Sequence, residues 1–366
     1  MISFFTTHVS PRAAEQVRQT LASTFLSEGA KVREFEQALE RRLGIERAVA
    51  VNSGTSALHL GLACGGIGPG DEVILPAQTF IASGLSILHQ GARPVFADIR
   101  CETGNLDPES VRSRLTPRTR AIMPVHWGGL PCDMDEIGEI ARARGLWVIE
   151  DAAHALGARY KGRPVGALSR FAVFSFQAIK HVTTGDGGLL VCADPGDYTA
   201  ARRRRWFGID RAASAPSPLG ERDYNVTEVG YKYHLNDYAA VLGLANLEDL
   251  DALLARRRAI AARYRRELAG VPGLCLLESP EDRVSACWLF TFRVERRLDF
   301  IRALKDKGIP ASVVHLGIHK NDVFGQSNAD LPAQRRFDET QISIPAHQNL
   351  ADDEIGQIIA AIRGGW

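Results

Sequence analysis

Between residues 48 and 150, short apolar segments alternate with longer helix-favouring ones, and this alternation limits the fold more than any other feature of the chain. Apolar runs of this length, bounded by Gly, Pro, Asn and Asp, are typical of strands buried in a parallel sheet. The segments between them predict helices that cover the sheet, so we expect an α/β fold with a mostly parallel central sheet wrapped by helices. The predicted strands are 48–52, 72–75, 94–99, 121–126 and 146–150, and the predicted helices are 56–63, 80–89, 108–115 and 134–144.

The chain has 366 residues, which is longer than a single ordinary domain. A long, interrupted helical stretch at 238–270 precedes a point near residue 274 where the α/β pattern restarts. We therefore predict a large domain, 1–250, that includes two N-terminal helices, and a smaller C-terminal α/β domain, 251–366. Further predictions are helices at 11–26, 30–43, 298–307 and 352–363, strands at 171–176, 189–193, 288–294 and 311–316, and a long loop at 208–230.

Composition excludes several classes of protein. Apolar residues make up 45% and charged residues 24%, as in soluble globular proteins, and the net charge of +1 gives no reason to expect a nucleic-acid or membrane partner. The six cysteines include no CxxC pair, so we expect neither a metal site nor a disulfide framework. The first residues lack the pattern of a signal peptide. We therefore expect a cytoplasmic protein.

Lys180 lies between two predicted strands, 171–176 and 189–193, in a segment where three glycines favour a turn. A lysine held between apolar walls at the end of a sheet loses hydration, so its amine can deprotonate and attack a carbonyl carbon. A solvated surface lysine is the alternative interpretation. A reactive lysine, unlike a solvated one, requires partner groups for the same chemistry elsewhere in the chain.

Two other segments supply such groups. Glu150 and Asp151 follow an apolar run, at the carboxyl end of a predicted buried strand, where open α/β sheets bind ligands. A carboxylate there is either the N-cap of a following helical turn or a fixed negative charge for a cationic ring nitrogen. The segment VNSGTSALHL at 51–60 carries a strand into a helix, so that N–H groups and hydroxyls converge on an anion site.

Pyridoxal phosphate (PLP) requires these three groups together. Its aldehyde needs a lysine amine, its ring nitrogen needs a negative partner, and its phosphate needs an anion site. Each motif is weak alone, but the three in this chain order predict a PLP-dependent enzyme.

Six segments extend the pattern over nearly the whole chain, and with them the sequence resembles the sugar aminotransferases of the DegT/DnrJ/EryC1/StrS family, within the fold-type-I PLP enzymes. The resemblance implies a fold-type-I transferase whose large domain, 1–250, binds the cofactor. The segments are SGTSALHL (53–60), PAQTFIAS (76–83), GARPVFADI (91–99), EDAAHALGARYKGRPVG (150–166), FSFQAIKHVTTGDGG (174–188) and GYKYHLNDYAAVLGLANL (230–247).

The resemblance implies a role for each matching position. Lys180 would hold the cofactor through its amine and, once released, act as the base that moves a proton between substrate and cofactor carbons. Asp151 would keep the ring nitrogen protonated. For His154 a role as a cap or in packing stays open, and so does simple core packing for Phe80. The other implied cofactor contacts are His154 at the ring or its phenolic oxygen, Phe80 stacked on the ring, and Gly54, Thr55 and Ser175 at the phosphate.

Lys232 departs from the family pattern. Many relatives carry asparagine at this position, donated by the neighbouring subunit to the phosphate, and a lysine would supply a full charge instead. The position implies a homodimer with shared active sites. His234, in the same segment, is a weaker candidate.

Two further groups concern the substrate. The run of arginines at 202–205 is either the solvated face of a helix or a site for a nucleotide diphosphate, since guanidinium groups pair with phosphates. In the small domain, His315, His319 and Lys320 occupy the region where relatives contact the sugar nucleotide.

We therefore expect transamination of a nucleotide-linked keto-sugar, a 4-keto-6-deoxy sugar, with glutamate as amino donor. The amino-sugar product would serve a surface polysaccharide, such as a lipopolysaccharide O-antigen, or a secondary metabolite. The alternative substrate is a keto-cyclitol or another ketose without a nucleotide. Some relatives are sugar dehydratases with histidine in place of the lysine, and Lys180 argues against that activity. A non-catalytic regulatory protein would need a broken set of cofactor residues, and here the set is intact.

Overall fold

The computed structural model describes residues 2–211, 215–325 and 330–366. Within those ranges the helices are α1 (Ala13–Ala22), α2 (Ala30–Leu43), α3 (Gly54–Cys64), α4 (Ile81–His89), α5 (Pro108–Arg114), α6 (Met134–Ala143), α7 (Pro195–Arg204), α8 (Asp237–Leu247), α9 (Leu250–Leu268), α10 (Arg297–Asp306), α11 (Pro332–Thr340) and α12 (Asp352–Arg363). The strands are β1 (Ala48–Val51), β2 (Glu72–Pro76), β3 (Arg93–Ala97), β4 (Thr119–Ile122), β5 (Trp147–Asp151), β6 (Arg159–Tyr160), β7 (Arg163–Pro164), β8 (Phe171–Ser175), β9 (Gly188–Cys192), β10 (Ala215–Pro216), β11 (Arg222–Asp223), β12 (Leu274–Leu276), β13 (Arg283–Val284), β14 (Phe290–Val294) and β15 (Gln341–Ile344).

The central sheet has seven strands in the order β1-β9-β8-β5-β4-β2-β3. Strands β8, β5, β4, β2 and β3 run parallel, whereas β9 is antiparallel to both of its neighbours. The sheet is thus mostly parallel and flanked by helices, which confirms the predicted fold class. Because β9 returns directly beside β8, the segment that joins them stays at the carboxyl edge of the sheet.

Both faces of this sheet are buried. In β8, Phe171 and Val173 pack into a cluster with helix α3, whereas Ala172 and Phe174 pack into a second cluster with helix α2. Adjacent residues of a strand point to opposite faces, so a strand covered on both sides needs an apolar residue at every position. This requirement explains why the strands read as continuous apolar runs.

A second, antiparallel sheet of order β12-β14-β15 forms in the C-terminal part. Its core includes Phe292, Phe300 and Ile358, and the N-terminal residue Ile2 packs into the same cluster. Helix α9 begins at Leu250, where the domain boundary is predicted, and the division into 1–250 and 251–366 stays a prediction.

The predicted strand at 311–316 is wrong. The segment makes only an isolated bridge between Ser312 and Ser343, because Val314 has a φ of 62°, in the left-handed region that a strand does not use. The third strand of the small sheet is β15 instead, which the sequence pattern did not indicate. Helix α11, just before it, was also not expected.

Two predictions about irregular regions are refined. The helical stretch at 238–270 is interrupted as expected, between α8 and α9. The loop predicted at 208–230 contains the hairpin of β10 and β11, and its residues 212–214 lie outside the described residues. Among the described helices, none combines the length and the hydropathy that a membrane span requires.

Candidate active site

A cavity of about 500 Å³ opens at the carboxyl end of the central sheet, beside the start of helix α3. Residues of the C-terminal part, including Trp288 and His315, close its other side. Ligands of open α/β sheets bind at this edge. The cavity brings together eight of the residues predicted from the sequence, namely Gly54, Thr55, Phe80, Asp151, His154, Ser175, Lys180 and His315.

Lys180 lies on a tight turn after β8. Its backbone N–H donates to the carbonyl of Gln177 at 2.9 Å, and the Gln177 side chain accepts from the N–H of Ile179 at 3.0 Å. The lysine amine lies inside the cavity, 3.6 Å from the centre of the Trp288 ring. Burial lowers the pKa of Lys180 to about 7, although Asp151 acts in the opposite direction. The amine is therefore partly neutral near pH 7 and can act as a nucleophile.

Asp151 is a buried carboxylate at the end of β5. Its Oδ2 accepts from the Ser83 hydroxyl at 2.7 Å, and its Oδ1 accepts from the N–H of Ala153 at 3.1 Å. The Ser83 hydroxyl also contacts that of Thr79 at 2.6 Å. Residues 152–158 form turns rather than a helix, so Asp151 is not the N-cap of a helix, although its bond to the Ala153 N–H does cap the turn at 152–155.

Glu150 points away from this carboxylate. It pairs with the fully buried His126, whose Nε2 lies 2.9 Å from Glu150 Oε2, and it also accepts from the Ser169 hydroxyl. The N–H of Cys132 donates to His126 Nδ1 at 3.0 Å. Because that nitrogen accepts, the other ring nitrogen carries the proton and donates to Glu150. Glu150 is thus a structural partner rather than a cavity residue.

The start of helix α3 forms the polar end of the cavity. The Ser53 side chain accepts from the N–H of Ser56 at 3.0 Å, and the N–H groups of a helix's first turn have no partner within the helix itself. Gly54 lies tightly against β8, since a Cβ added to it would come 3.1 Å from the Cβ of Ser175. Thr55 lines the same end. Such a helix start, with the hydroxyls of Thr55 and Ser175 beside it, suits an anion.

Aromatic rings form the side walls. The His154 ring stacks on Trp288 at a centroid distance of 3.8 Å, and burial, together with the nearby Lys180, holds the pKa of His154 well below its usual range. The pKa of His315 is lowered to about 4 by the same causes. Both imidazoles are therefore neutral at pH 7. Phe80 is 53% exposed and lies 5.2 Å from the His315 ring, so simple core packing does not explain it.

The residues of the cavity fit pyridoxal phosphate. A lysine amine, a buried carboxylate and a helix start with free N–H groups face one space, as the cofactor requires. In addition, His154 Nδ1 is buried without a hydrogen-bond partner among the described residues, so it is available to a ligand. Within those residues no group of His, Cys, Asp and Glu is arranged to hold a metal ion.

Three predicted site residues lie outside this cavity. Lys320 Nζ pairs with Asp338 at 2.6 Å, and the His319 ring packs against Phe96 at a centroid distance of 6.2 Å. Lys232 is exposed on the segment that follows the β10–β11 hairpin. The weaker candidate, His234, is also outside; it is buried beside the Ser27 hydroxyl.

Arg205, the last residue of the arginine run at 202–205, serves the fold. Arg205 is 2% exposed, and its guanidinium pairs with Glu28 at 2.8 Å and with Glu36 at 2.5 Å. Arg203 and Arg204 both pair with Glu228, and Arg202 lies over the Tyr198 ring. Arg205 is therefore not available to a diphosphate, because a buried charge is costly unless it is paired. Arg202, in contrast, is exposed, as the interpretation of a solvated helix face expects. The sequence did not indicate these partners, since Glu28 and Glu36 are remote from the run.

Three residues at the site, Trp288, Ser83 and Phe5, are not among those predicted from the sequence. Trp288 begins the segment that leads into β14, Ser83 lies in a helix, and Phe5 belongs to the N-terminal segment. Ser83 lies inside PAQTFIAS, one of the segments on which the family resemblance rests, so the sequence contained a signal for this residue. Nothing in the local pattern marked the other two.

Comparisons with known proteins agree with this geometry. A model of the DegT/DnrJ/EryC1/StrS aminotransferase family matches residues 8–363. The spore coat polysaccharide biosynthesis protein SpsC of Bacillus subtilis (strain 168) is 40% identical over 361 residues, which cover 95% of this chain and 93% of SpsC. The sugar aminotransferase CalS13 from Micromonospora echinospora has a TM-score of 0.96 at 36% identity, over 100% of both chains. Spr1654 from Streptococcus pneumoniae, solved in its PLP form, has a TM-score of 0.91 at 30% identity, over 99% of this chain and 98% of that one.

Proposed function

The chain belongs to the DegT/DnrJ/EryC1/StrS aminotransferase family, and from that premise we propose that it transfers the amino group of glutamate to a nucleotide-linked 4-keto-6-deoxy sugar. The enzyme is PLP-dependent, as the family is. The observation that supports the proposal most directly is the meeting of Lys180, Asp151 and the start of helix α3 in one cavity.

PLP, when bound, supplies an aldehyde for covalent attachment and a cationic ring that withdraws electrons from the carbon next to the bound nitrogen. The chain's own residues do the rest. We propose that Lys180 attaches to the aldehyde and, once freed, carries the proton between the substrate carbon and the cofactor carbon. Its pKa of about 7 suits both roles, since the amine can give and take a proton near neutral pH.

The other cavity residues are proposed to hold the cofactor in place. Asp151, fixed by Ser83, is proposed to hold the proton on the ring nitrogen. His154 and Phe80 are proposed to border the ring. Gly54, Thr55 and Ser175 are proposed to bind the phosphate at the start of helix α3.

The cavity lining supports a neutral sugar next to the cofactor. Phe80 and His315 border the opening, and among the described cavity residues Lys180 is the only lysine or arginine. An anionic substrate group would thus have to be bound at the rim or by a second subunit. His319 and Lys320 stay proposed substrate contacts, although Lys320 would first have to leave Asp338.

A substrate panel tests the activity. Purified protein is incubated with PLP, glutamate and UDP-, dTDP- or GDP-linked 4-keto-6-deoxy sugars, and with a keto-cyclitol without a nucleotide. We expect amino-sugar nucleotide in at least one reaction, detected by mass spectrometry, together with 2-oxoglutarate. Product from the cyclitol alone would favour the alternative substrate class, and no product from any ketone would contradict the proposal. A reaction without glutamate is the control for the donor.

We also propose a homodimer whose active sites are completed across the interface. Lys232 is exposed and outside its own chain's cavity, as expected for a residue that acts in a partner. Two large apolar side chains of the preceding segment, Leu219 and Val229, are 88% and 79% exposed, which is typical of a surface that is covered by another chain.

Mixing two defective variants tests the shared site. Lys180→Ala subunits and Lys232→Ala subunits are combined after subunit exchange has been verified by mass spectrometry. Heterodimers then contain one intact site and one doubly damaged site, so activity should rise above the sum of the two parents. Complete exchange without a rise would mean that Lys232 does not act across the interface. Mixing each variant with itself is the control.

The setting of the activity is proposed as well. All six cysteines are free, as is common in the reducing cytoplasm, and we propose that the enzyme works there. Its amino-sugar product is proposed to enter a surface polysaccharide, such as an O-antigen, or a secondary metabolite, by analogy with SpsC, whose name assigns it to spore coat polysaccharide biosynthesis.

A further inference from the structure

The indole ring of Trp288 contacts the amine of Lys180 directly. The Lys180 Nζ lies 3.6 Å from the centre of the ring, well within the range of a cation–π interaction. The indole Nε1–H donates to the carbonyl of Ile179, the residue before the lysine, at 3.0 Å. One side chain from the C-terminal part thus contacts both the lysine's amine and the turn that carries it.

We propose that Trp288 is a positioning residue for Lys180. Its ring face holds the free amine as a cation, and its indole N–H holds the turn that carries the lysine. The proposal rests on the role proposed above for Lys180. It assigns to this chain a fixed place for the lysine when its amine is not bonded to the cofactor.

The ring is itself held rigidly. Trp288 is 2% exposed, and it is stacked on His154 and, at a centroid distance of 5.4 Å, on Phe5 of the N-terminal segment. Its backbone N–H donates to the carbonyl of Gly128 at 2.9 Å, and its own carbonyl accepts from Arg257 at 3.3 Å. A ring that is packed by these neighbours and held at its backbone can hold a flexible lysine with little further loss of entropy.

The charges around the amine leave room for this interaction. Among the described carboxylates, Asp151 favours the cation, and Asp186 also lines the cavity. His154, His181 and His315 all lie close enough to be affected by the lysine charge, and their own pKa values are lowered, so they stay neutral at pH 7. Burial disfavours the cation, while the negative face of an indole favours it without adding a second titrating group.

Fluorinated tryptophans separate the ring's electrostatic effect from its bulk. Each added fluorine atom weakens the negative charge on the face of the ring, but it changes the size of the ring little and leaves the N–H in place. The full-length chain is prepared with tryptophan or with mono-, di- or trifluorotryptophan at position 288 and is freed of cofactor. Each form is pulsed with acetic anhydride from pH 5 to pH 10, and mass spectrometry of the peptide containing Lys180 gives the apparent pKa of its amine.

We expect a midpoint near 7 for the unmodified protein and a stepwise fall of roughly 0.5 to 1 pH unit across the fluorinated series. The sign follows because a weaker ring face stabilises the cation less. The same series at position 366 is the matched control, because Trp366 packs against Phe300 outside the cavity and should leave the midpoint unchanged. An unchanged or rising midpoint along the series at position 288 would overturn the role of the ring.

Trp288→Phe tests the second half of the proposal, since it keeps an aromatic face but lacks the N–H. We expect amide hydrogen exchange in the peptide 176–184 to become at least about tenfold faster, whereas the fluorinated proteins exchange like the wild type. Unchanged exchange in Trp288→Phe would overturn the role of the N–H. Neither measurement uses a sugar or an amino donor, so a negative substrate panel and a negative result here are distinguishable.

Discussion

Lys180→Arg is expected to lose transaminase activity by at least about 10⁴-fold, because a guanidinium stays protonated and cannot attach to an aldehyde or move a proton. The substitution keeps a positive charge in the cavity, so the loss cannot be assigned to the charge. Activity is measured as 2-oxoglutarate formed from glutamate with the best ketone of the panel. In the wild type, borohydride reduction in the presence of PLP should fix the cofactor on the peptide containing Lys180.

Lys161→Arg is the matched control for this substitution. Lys161 is exposed, pairs with Asp135 and does not line the cavity. Its activity should equal that of the wild type. If Lys180→Arg retained wild-type activity, or if reduction placed the cofactor on another lysine, the assignment of Lys180 would be wrong.

Asp151→Asn is expected to lower turnover by roughly 10²- to 10³-fold, as when one pre-organised electrostatic group is removed from an active site. The free energy of unfolding should change by less than about 1 kcal/mol. The asparagine oxygen can still accept from the Ala153 N–H, and its amide can donate to the Ser83 hydroxyl. Turnover is measured as above, and stability by urea unfolding.

A second consequence of Asp151→Asn concerns the lysine. Asp151 raises the pKa of Lys180 against the effect of burial, so its removal should lower the midpoint of the Lys180 titration in the cofactor-free chain. The conservative change Asp151→Glu is the control for charge alone, because it keeps the carboxylate but displaces it. If Asp151→Asn lost turnover only to the extent that it lost free energy of unfolding, Asp151 would have a structural role instead.

The central sheet was predictable because its strands are buried on both faces. An apolar residue is needed at every position of β8, so the strand reads clearly without any knowledge of its neighbours. The small sheet was less predictable. Val314 lies in an apolar run that favours a strand, yet its left-handed backbone breaks the strand. The turn is closed by hydrogen bonds from the Val314 N–H to the Ser312 hydroxyl and from the His315 N–H to the Val313 carbonyl, and a strand pattern does not indicate such a turn.

The site was predictable where chemistry demands a residue type. Lys180 and Asp151 carry groups that PLP cannot do without, and both line the cavity. Trp288 was not predictable, because an aromatic residue leading into a strand is usual in any core. Its contact with the lysine depends on how the C-terminal part packs on the central sheet, and no local pattern encodes that packing. The partners of Arg205 were missed for the same reason, since they come from distant positions.

The reversed direction of β9 has a consequence for how such sites can be rebuilt. Because β9 pairs with β8 over five residue pairs, the lysine turn is the closed end of a hairpin rather than a crossover that leaves the sheet. Ser175 ends one arm, and Gly188 begins the other in contact with the backbone of Ser53, where a Cβ would come 2.4 Å from the carbonyl oxygen. The stretch from Phe171 to Cys192 is thus one continuous hairpin. In chimeras between relatives it would be exchanged as one unit, with both of its ends anchored in the recipient's sheet.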